Sequence, residues 1–243
     1  MDDYTADTYG ERIADVYDSW YAAFDERCID LLAELARGGS ALELGIGTGR
    51  IALPLRQRGV DVHGVDASPA MVAKLRAKRG GDAIPVAMAT FADFSLDERF
   101  ALAYIAFNTF FAPVTQEEQI RCMETVARHL SPGGRFVIEA FVPDLARFVS
   151  NQTVRVVGLE PSEVRIDASL LYVTDQRITS QHIVLTERGT RLYPVTLRYV
   201  WPSEMDLMAR IAGLRLEHRW ADWERTPFAR DSTKHISVYQ RSS

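Results

Sequence analysis

The chain has 243 residues, of which 47% are hydrophobic and 25% charged, a composition typical of a globular domain. Its formal net charge of -5 argues against a nucleic-acid backbone as the main partner. Because we find neither an apolar run of membrane-spanning length nor a signal-peptide core, we expect no membrane partner and a cytoplasmic location.

Apolar side chains recur at helical spacing in residues 4–24 and predict one N-terminal helix with an aromatic face. The residues of this face are Ile13, Val16, Tyr17, Trp20, Tyr21 and Phe24. The helix either packs on the domain or also covers a ligand as a lid. A second helix is predicted from about residue 26 to residue 37. Cys28 and Cys122 lie on apolar stripes rather than at metal-ligand spacing, so we expect no metal site.

Three glycines at alternate positions, Gly45, Gly47 and Gly49, mark the most informative stretch, residues 41–66. An apolar run precedes them, a helical pattern follows, and a second strand-like run ends at Asp66. This order predicts a strand, a tight turn, a helix and a parallel strand. Glycine lets a ligand approach the backbone closely, and the start of the helix adds free N–H donors. An acid at the tip of the next strand is suited to bind a ribose diol.

The acid before the glycines separates two ligand classes that use this geometry. A dinucleotide site usually has the pattern G-x-G-x-x-G, whereas this chain has Glu43-Leu-Gly-x-Gly-x-Gly. With Asp66 after the second strand, that pattern resembles motif I of the class I S-adenosylmethionine (SAM) methyltransferases. The resemblance covers about residues 4–141 and, by topology only, residues 203–241. A nicotinamide-dependent oxidoreductase and a non-catalytic SAM-binding regulatory module are the alternatives.

The resemblance implies SAM as the cofactor, with Asp66 on its ribose hydroxyls. Many relatives have an acid and then an apolar residue where this chain has Thr90 and Phe91, so Phe91 should stack on the adenine and Thr90 should accept one hydrogen bond. The aromatic N-terminal helix then matches a lid near the methionine end of SAM. The expected cofactor contacts are Tyr9, Tyr17, Glu43, Gly45, Gly47, Gly49, Asp66, Ala67, Met71, Thr90, Phe91, Ala106 and Phe107.

Three further strands are predicted over residues 83–88, 101–107 and 135–141. The second of them is apolar throughout, as expected for a strand buried on both faces of a sheet. It runs directly into Asn108. Because ligands bind beyond the carboxyl ends of parallel strands, Asn108 should line the site. Ordinary turn chemistry is the other interpretation of this residue.

Residues 142–201 differ from the glycine-containing half, because long alternating runs there predict antiparallel strands. The runs span residues 164–173, 178–188 and 191–201. We interpret them as an antiparallel β insertion after the fifth strand. Its aromatic face forms either the pocket for a methyl acceptor or a homodimer interface. If it forms the pocket, residues such as Tyr172, Arg198 and Tyr199 should contact the acceptor.

The predicted fold class is α/β, a Rossmann-like seven-stranded class I methyltransferase sheet with the antiparallel insertion. Residues 1–243 are expected to form a single methyltransferase domain. Its parts are an N-terminal lid helix (1–25), a SAM-binding half (26–141), the β insertion (142–201), and a last helix with an antiparallel strand pair (202–243).

Methyl transfer from SAM is an in-line displacement that needs alignment and exclusion of water rather than a metal. A base near the acceptor is expected but not required. The catalytic candidates are Tyr17, Asn108 and His182. The chain resembles aminosugar N-methyltransferases of antibiotic biosynthesis, which implies a small-molecule acceptor in secondary metabolism. Nitrogen is the first choice as methyl acceptor, and oxygen is close behind.

Overall fold

The structure, a computed structural model, describes residues 4–21 and 25–242. The described residues form eleven strands in two sheets. The strands are β1 (Ala41–Leu44), β2 (Val62–Asp66), β3 (Val86–Met88), β4 (Phe100–Ile105), β5 (Leu130–Phe141), β6 (Gln152–Glu160), β7 (Glu163–Tyr172), β8 (Arg177–Thr186), β9 (Gly189–Arg198), β10 (Leu214–Trp220) and β11 (Lys234–Arg241). The larger sheet has the order β10-β11-β5-β4-β1-β2-β3, and only its β10-β11-β5 edge is antiparallel. The predicted seven-stranded sheet is confirmed.

The described residues form seven α-helices, and those after α2 lie on the larger sheet. The helices are α1 (Thr8–Ile13), α2 (Tyr17–Trp20), α3 (Arg27–Ala36), α4 (Ala52–Gln57), α5 (Pro69–Arg76), α6 (Gln116–His129) and α7 (Pro202–Ile211). The buried side chains of α6 and α7 belong to one hydrophobic cluster, and those of α3 and α4 belong to another. In the described part of the chain, no helix is long and apolar enough to cross a membrane.

The prediction of one continuous helix over residues 4–24 was wrong for the residues that the structure describes. The chain turns after Ile13, where the Val16 N–H donates to the Ile13 carbonyl at 2.9 Å, and α2 then begins at Tyr17. Residues four apart share one face of a helix. Ile13 and Tyr17 pack in the same hydrophobic cluster as Tyr193 of the insertion, and Tyr17 also accepts a hydrogen bond from Arg50 in the loop after β1. Phe24 lies outside the described residues.

The β insertion forms a separate antiparallel sheet of four strands, in the order β6-β7-β8-β9. The insertion itself is confirmed, but the sequence analysis missed its edge strand, β6. That strand contains a bulge between Val156 and Gly158, which interrupts the alternation of side chains. Val154 and Val156 are 70% and 62% exposed, so the strand also lacks the burial pattern that marks an inner strand.

One end of the insertion is packed into the main hydrophobic core. Leu171 of β7 and Ile178 of β8 are 5% and 3% exposed and belong to the same cluster as Phe136 of β5 and Met205 of α7. Burial of apolar side chains on this scale stabilises the contact and restricts movement of the sheet. The insertion is therefore docked on the carboxyl end of the larger sheet.

Substitution of Gly49 tests how tightly the glycine turn packs. Its φ is +76°, and a Cβ there would clash with the Cδ1 atom of the fully buried Leu75. Gly59 also has a positive φ, +86°, but a Cβ there would meet nothing within 4 Å. Gly49→Ala should lower the free energy of unfolding by about 2–4 kcal/mol, since it adds overpacking to the left-handed backbone penalty.

Urea denaturation would measure both variants. The matched control, Gly59→Ala, should lose only the backbone penalty, about 1–2 kcal/mol. Equal losses in the two variants would contradict tight packing of the turn on Leu75.

Candidate active site

Two cavities open at the carboxyl ends of β1, β2 and β4, with volumes of about 460 and 330 Å³. The larger one lies between the glycine loop (residues 45–50) and the β insertion. Of the predicted site residues it is lined by Tyr9, Tyr17, Glu43, Gly45, Gly47, Asp66, Met71, Phe91, Ala106, Phe107, Asn108 and His182. The smaller one is lined by Asp66, Ala67, Thr90 and Phe91. Gly49 lines neither cavity, because it faces Leu53 and Leu75.

The glycine loop follows β1 and stays close to the opposite wall. Gly45 has a φ of +76°, and a Cβ there would lie 2.7 Å from Thr109 Cγ2 and 3.2 Å from Phe91 Cζ. Only glycine accommodates both the backbone conformation and the narrow space. The loop therefore presents bare backbone to the cavity.

Asp66, at the tip of β2, is 9% exposed and holds the loop in place. Its Oδ2 accepts the Gly47 N–H at 2.7 Å, and its Oδ1 accepts the Ser68 N–H at 2.9 Å. Burial raises the pKa of Asp66, and the backbone hydrogen bonds oppose that shift. Each carboxylate oxygen keeps a second lone pair, so the group can still accept hydrogen bonds from a ligand.

Glu43 is the second buried acid of the site and is 5% exposed. Its Oε2 accepts a hydrogen bond from the Tyr104 hydroxyl at 3.0 Å. Burial raises the pKa of Glu43 to about 8, although the Tyr104 hydrogen bond and the charge of Arg50 act in the opposite direction. A cation in the cavity would favour the ionised form.

The N-terminal segment is tied to the glycine half by charged hydrogen bonds. Glu11 accepts from the Ser68 hydroxyl at 2.7 Å and from the Ala70 N–H at 2.9 Å, at the start of α5. Asp18 accepts from the Thr48 hydroxyl at 2.6 Å and pairs with Lys78 at 2.7 Å. These contacts hold α1 and α2 over the larger cavity.

Arg50, which the sequence analysis missed, connects the same segment to the fourth strand. Its guanidinium donates to the Tyr21 carbonyl at 2.6 Å and to the Tyr17 hydroxyl at 3.2 Å. It also lies 3.6 Å from the centroid of the Phe107 ring, which is a close cation–π contact. Its position directly after the third glycine was the feature of the sequence that could have identified it as a site residue.

The turn after β4 is strained and held by side chains. Phe107 has a positive φ of 54°, which bulky residues rarely adopt, and Asn108 follows with a φ of 66°. Glu139 Oε2 accepts the Phe107 N–H at 3.0 Å, and Asn108 Oδ1 accepts the Phe141 N–H at 2.7 Å. Strain of this kind persists only where the surroundings enforce it, as at functional sites.

The inner face of the β insertion forms the opposite wall, and the strand register arranges it in rows. The first row consists of Arg155, Asp167, His182 and Tyr193, and the second of Thr153, Ser169, Ser180 and Val195. His182 Nδ1 lies 2.5 Å from Asp167 Oδ1, and the Ser169 and Ser180 hydroxyls lie 2.7 Å apart. All of these residues except Tyr193 line the larger cavity. This wall is therefore polar.

The expectation that Tyr172, Arg198 and Tyr199 contact the acceptor was wrong, because these residues line neither cavity. Tyr172 is 47% exposed at the end of β7, and Tyr199 is buried in the main core. Arg198 is buried too, and it pairs with Glu204 at 2.7 Å. Alternation along a strand assigns residues to two faces but does not say which face meets the cavity.

Residues 41–134 match a family described as "Methyltransferase domain". The chain is 41% identical to the CcbJ methyltransferase from Streptomyces caelestis, whose solved structure aligns over 99% of this chain and 100% of that chain with a TM-score of 0.93.

Two curated relatives are more distant. The cypemycin N-terminal methyltransferase of Streptomyces sp is 29% identical over 207 residues, which is 84% of each chain. The dTDP-4-amino-2,3,4,6-tetradeoxy-D-glucose N,N-dimethyltransferase of Saccharopolyspora spinosa is 28% identical over 227 residues, 88% of this chain and 90% of the relative. Together with the sheet order and the glycine loop, these matches establish that the chain belongs to the class I SAM-dependent methyltransferases.

Proposed function

We propose that this SAM-dependent methyltransferase methylates a nitrogen of a small polar acceptor held in the larger cavity. The observation that carries the proposal is the shape of that cavity, which has the glycine loop on one side and the polar rows of the β insertion on the other. The names of both curated relatives describe methylation at an amine, one on an aminosugar and one at a peptide N-terminus. A biosynthetic pathway for a secondary metabolite is the setting that we propose.

The residues around the glycine loop fit SAM. Backbone at Gly45 and Gly47 leaves room for the ligand, and Asp66 has lone pairs for the ribose hydroxyls. Ala67, Thr90 and Phe91 line the smaller cavity, which suits the adenine ring. When bound, SAM supplies a methyl group on a sulfonium, and the C–S bond breaks as the C–N bond forms, with the electron pair kept by sulfur.

Aromatic and acidic side chains suit the positive charge that SAM brings. The rings of Tyr17 and Phe107 line the cavity, and aromatic faces favour cations. Glu43 and Asp66 are buried nearby and gain from a positive ligand. The N-terminal segment covers the cavity and excludes water, which strengthens these interactions. Tyr9 and Met71 complete the proposed lining on this side, and Ala106 lies beside Phe107.

The acceptor wall supports a ligand with hydroxyl groups and an anionic group. Thr153, Ser169 and Ser180 supply hydroxyls to the cavity. Arg147 and Arg155 line it as well, and no carboxylate among the described residues lies within ion-pair distance of either guanidinium. Burial and the neighbouring Arg155 charge lower the pKa of Arg147, so an anion there would relieve the repulsion. The dTDP group of the aminosugar relative's substrate is such an anion.

A homodimer through the β insertion is supported by the outer face of the smaller sheet. Its exposed side chains include the apolar residues Val154, Val156, Leu159, Leu170 and Leu192. An exposed apolar patch often marks a site of association. The inner face remains available for the acceptor, because successive residues of a strand point to opposite sides.

Because Asp66 is proposed to bind the ribose, its replacement should lower the affinity for SAM. Asp66→Ala should weaken SAM binding by about 1.5–3 kcal/mol, because a charged hydrogen bond to the ribose is lost. Titration calorimetry would measure it, with circular dichroism to verify folding. Asp82→Ala is the matched control, since Asp82 is exposed and lines neither cavity. A folded Asp66→Ala variant with unchanged SAM affinity would rule out the assignment.

The raised pKa of Glu43 predicts proton release on SAM binding. Since the pKa of Glu43 is about 8 in the free protein, its carboxyl group is mostly protonated at neutral pH. A bound cation lowers that pKa, so SAM affinity should rise as the pH approaches about 8 and level off above it.

Calorimetry in two buffers of different ionisation enthalpy would measure the released proton. Glu43→Gln keeps an acceptor for the Tyr104 hydroxyl but has no proton to lose. The proton release measured for Glu43→Gln is subtracted from that of the unaltered protein. The difference excludes the protons that come from the amino group of SAM itself. The same proton release in both proteins would contradict a role for Glu43 beside the bound cation.

A panel of methyl acceptors tests the function. Methyl-labelled SAM should label D-glucosamine, D-glucosamine 6-phosphate or dTDP-4-amino-2,3,4,6-tetradeoxy-D-glucose, each of which has an amine. It should not label D-glucose 6-phosphate, which has a hydroxyl in place of the amine. The phosphorylated amine should have a lower KM than D-glucosamine, because its anion can pair with Arg147 and Arg155.

Arg155→Gln should reduce that difference in KM, whereas the exposed residue Arg188 serves as the control in Arg188→Gln. Labelling of D-glucose 6-phosphate alone, or of none of the amines, would contradict an amine acceptor.

A further inference from the structure

An alkylamine acceptor arrives as an ammonium at neutral pH and must lose a proton before its nitrogen can attack. Several groups that line the cavity are unsuited to accept that proton. Burial raises the pKa of the Tyr17 hydroxyl, so it stays protonated. Asn108 has no basic group, and its carbonyl already accepts the Phe141 N–H. Glu43 Oε2 already accepts a hydrogen bond from the Tyr104 hydroxyl.

His182 and Asp167 form the one histidine–carboxylate hydrogen bond among the described cavity-lining residues. They lie directly opposite each other on β8 and β7, and Nδ1 and Oδ1 are 2.5 Å apart. A carboxylate at that distance accepts the Nδ1 proton, which leaves Nε2 with its lone pair. No hydrogen bond from the described part of the chain reaches Nε2, and His182 lines the larger cavity.

We infer that His182 Nε2 is the base that removes the proton from the acceptor ammonium and that Asp167 is its positioning residue. The inference rests on the proposed amine acceptor. In this step an N–H bond of the ammonium breaks, the electron pair stays on the acceptor nitrogen, and an N–H bond forms at Nε2. Asp167 stabilises the resulting imidazolium, as the acid of a catalytic triad does, and the proton then passes to water.

The surroundings of the pair hold His182 in one orientation. Trp20 of α2 packs edge-on against His182, with ring centroids 6.3 Å apart, and against Tyr193, 5.0 Å apart. The base therefore depends on the N-terminal segment as well as on the insertion. Displacement of α2 would free the imidazole of His182 to rotate. The orientation in which Asp167 accepts the Nδ1 proton therefore depends on a closed cavity.

Several charged groups face the pair from neighbouring elements. Arg155 of β6 is the cross-strand neighbour of Asp167, and Arg147 lines the cavity nearby. Arg165 of β7 lies over the Trp20 ring at 5.5 Å. Across the cavity, the titratable groups of the described lining residues are Tyr4, Tyr9, Tyr17, Glu43, Asp66 and Arg50. The experiment must therefore isolate His182 by substitution rather than by pH alone.

The test compares the full-length protein with His182→Gln and Asp167→Asn, using SAM and the amines of the panel. In His182→Gln, kcat should fall by roughly 10²–10⁴-fold near neutral pH, and Asp167→Asn should show a smaller loss. The loss should shrink as the pH rises toward about 10, because a growing fraction of the amine is then deprotonated in solution and needs no base. His218→Gln is the matched control, since His218 lies on β10 and lines neither cavity.

A defect in His182→Gln that is equal at all pH values would mean a structural role and would overturn the inference, as would unchanged kcat. Failure of the unaltered protein to methylate any amine would instead refute the proposed function, and the base with it.

A second measurement needs neither SAM nor an acceptor. Nitrogen NMR of histidine-labelled protein at about pH 8 should find the His182 proton on Nδ1, with the signal identified by its absence in His182→Gln. Asp167→Asn should change that tautomer balance. A proton on Nε2 in the unaltered protein would overturn the inference.

Discussion

Two carboxyl groups, Glu43 and Asp66, are buried side by side where β1 and β2 end, and the rest of the site depends on them. Removal from water raises the pKa of both groups, and the neighbouring charge of Asp66 raises the pKa of Glu43 further. Hydrogen bonds from the backbone N–H groups of Gly47 and Ser68 partly offset the cost of burying the Asp66 carboxylate. A positively charged ligand completes the compensation. The fold thus contains a site that is electrostatically suited to a cation before the ligand arrives.

Three parts of the chain close around that site. The glycine loop supplies the floor, the N-terminal segment covers it through Glu11 and Asp18, and the β insertion supplies the facing wall. The insertion is held by apolar side chains in the main core, so its polar rows have a fixed distance from the loop. Methyl transfer depends on alignment more than on covalent chemistry, and a rigid wall opposite the cofactor provides that alignment.

Local patterns predicted the parts of this arrangement that depend on local sequence. The glycine turn and the strand that ends at Asp66 follow from spacing, and the seven-stranded sheet was implied by the resemblance to the methyltransferases. Contacts between distant segments were not predictable in this way. Arg50 meets Tyr17 and Phe107, and Asp167 meets His182, only because the fold brings separate elements together. The edge strand β6 was not predicted, because its bulge and its exposure remove the alternation of apolar and polar side chains that marks a strand.

The assignment of residues on the insertion depended on the same kind of information. Alternation identified two faces of β9, but the buried pairing of Arg198 with Glu204 of α7 was invisible in the sequence. The inner face was therefore assigned to the wrong residues, although the insertion itself was predicted.

A crystal structure of the protein with S-adenosylhomocysteine would test the central claim most directly, namely that one cavity holds the cofactor and the acceptor between the glycine loop and the insertion. The account predicts that Asp66 accepts hydrogen bonds from the ribose hydroxyls and that the sulfur faces the row containing His182. A ligand bound without contact to Asp66, or with its sulfur turned away from the insertion, would contradict it.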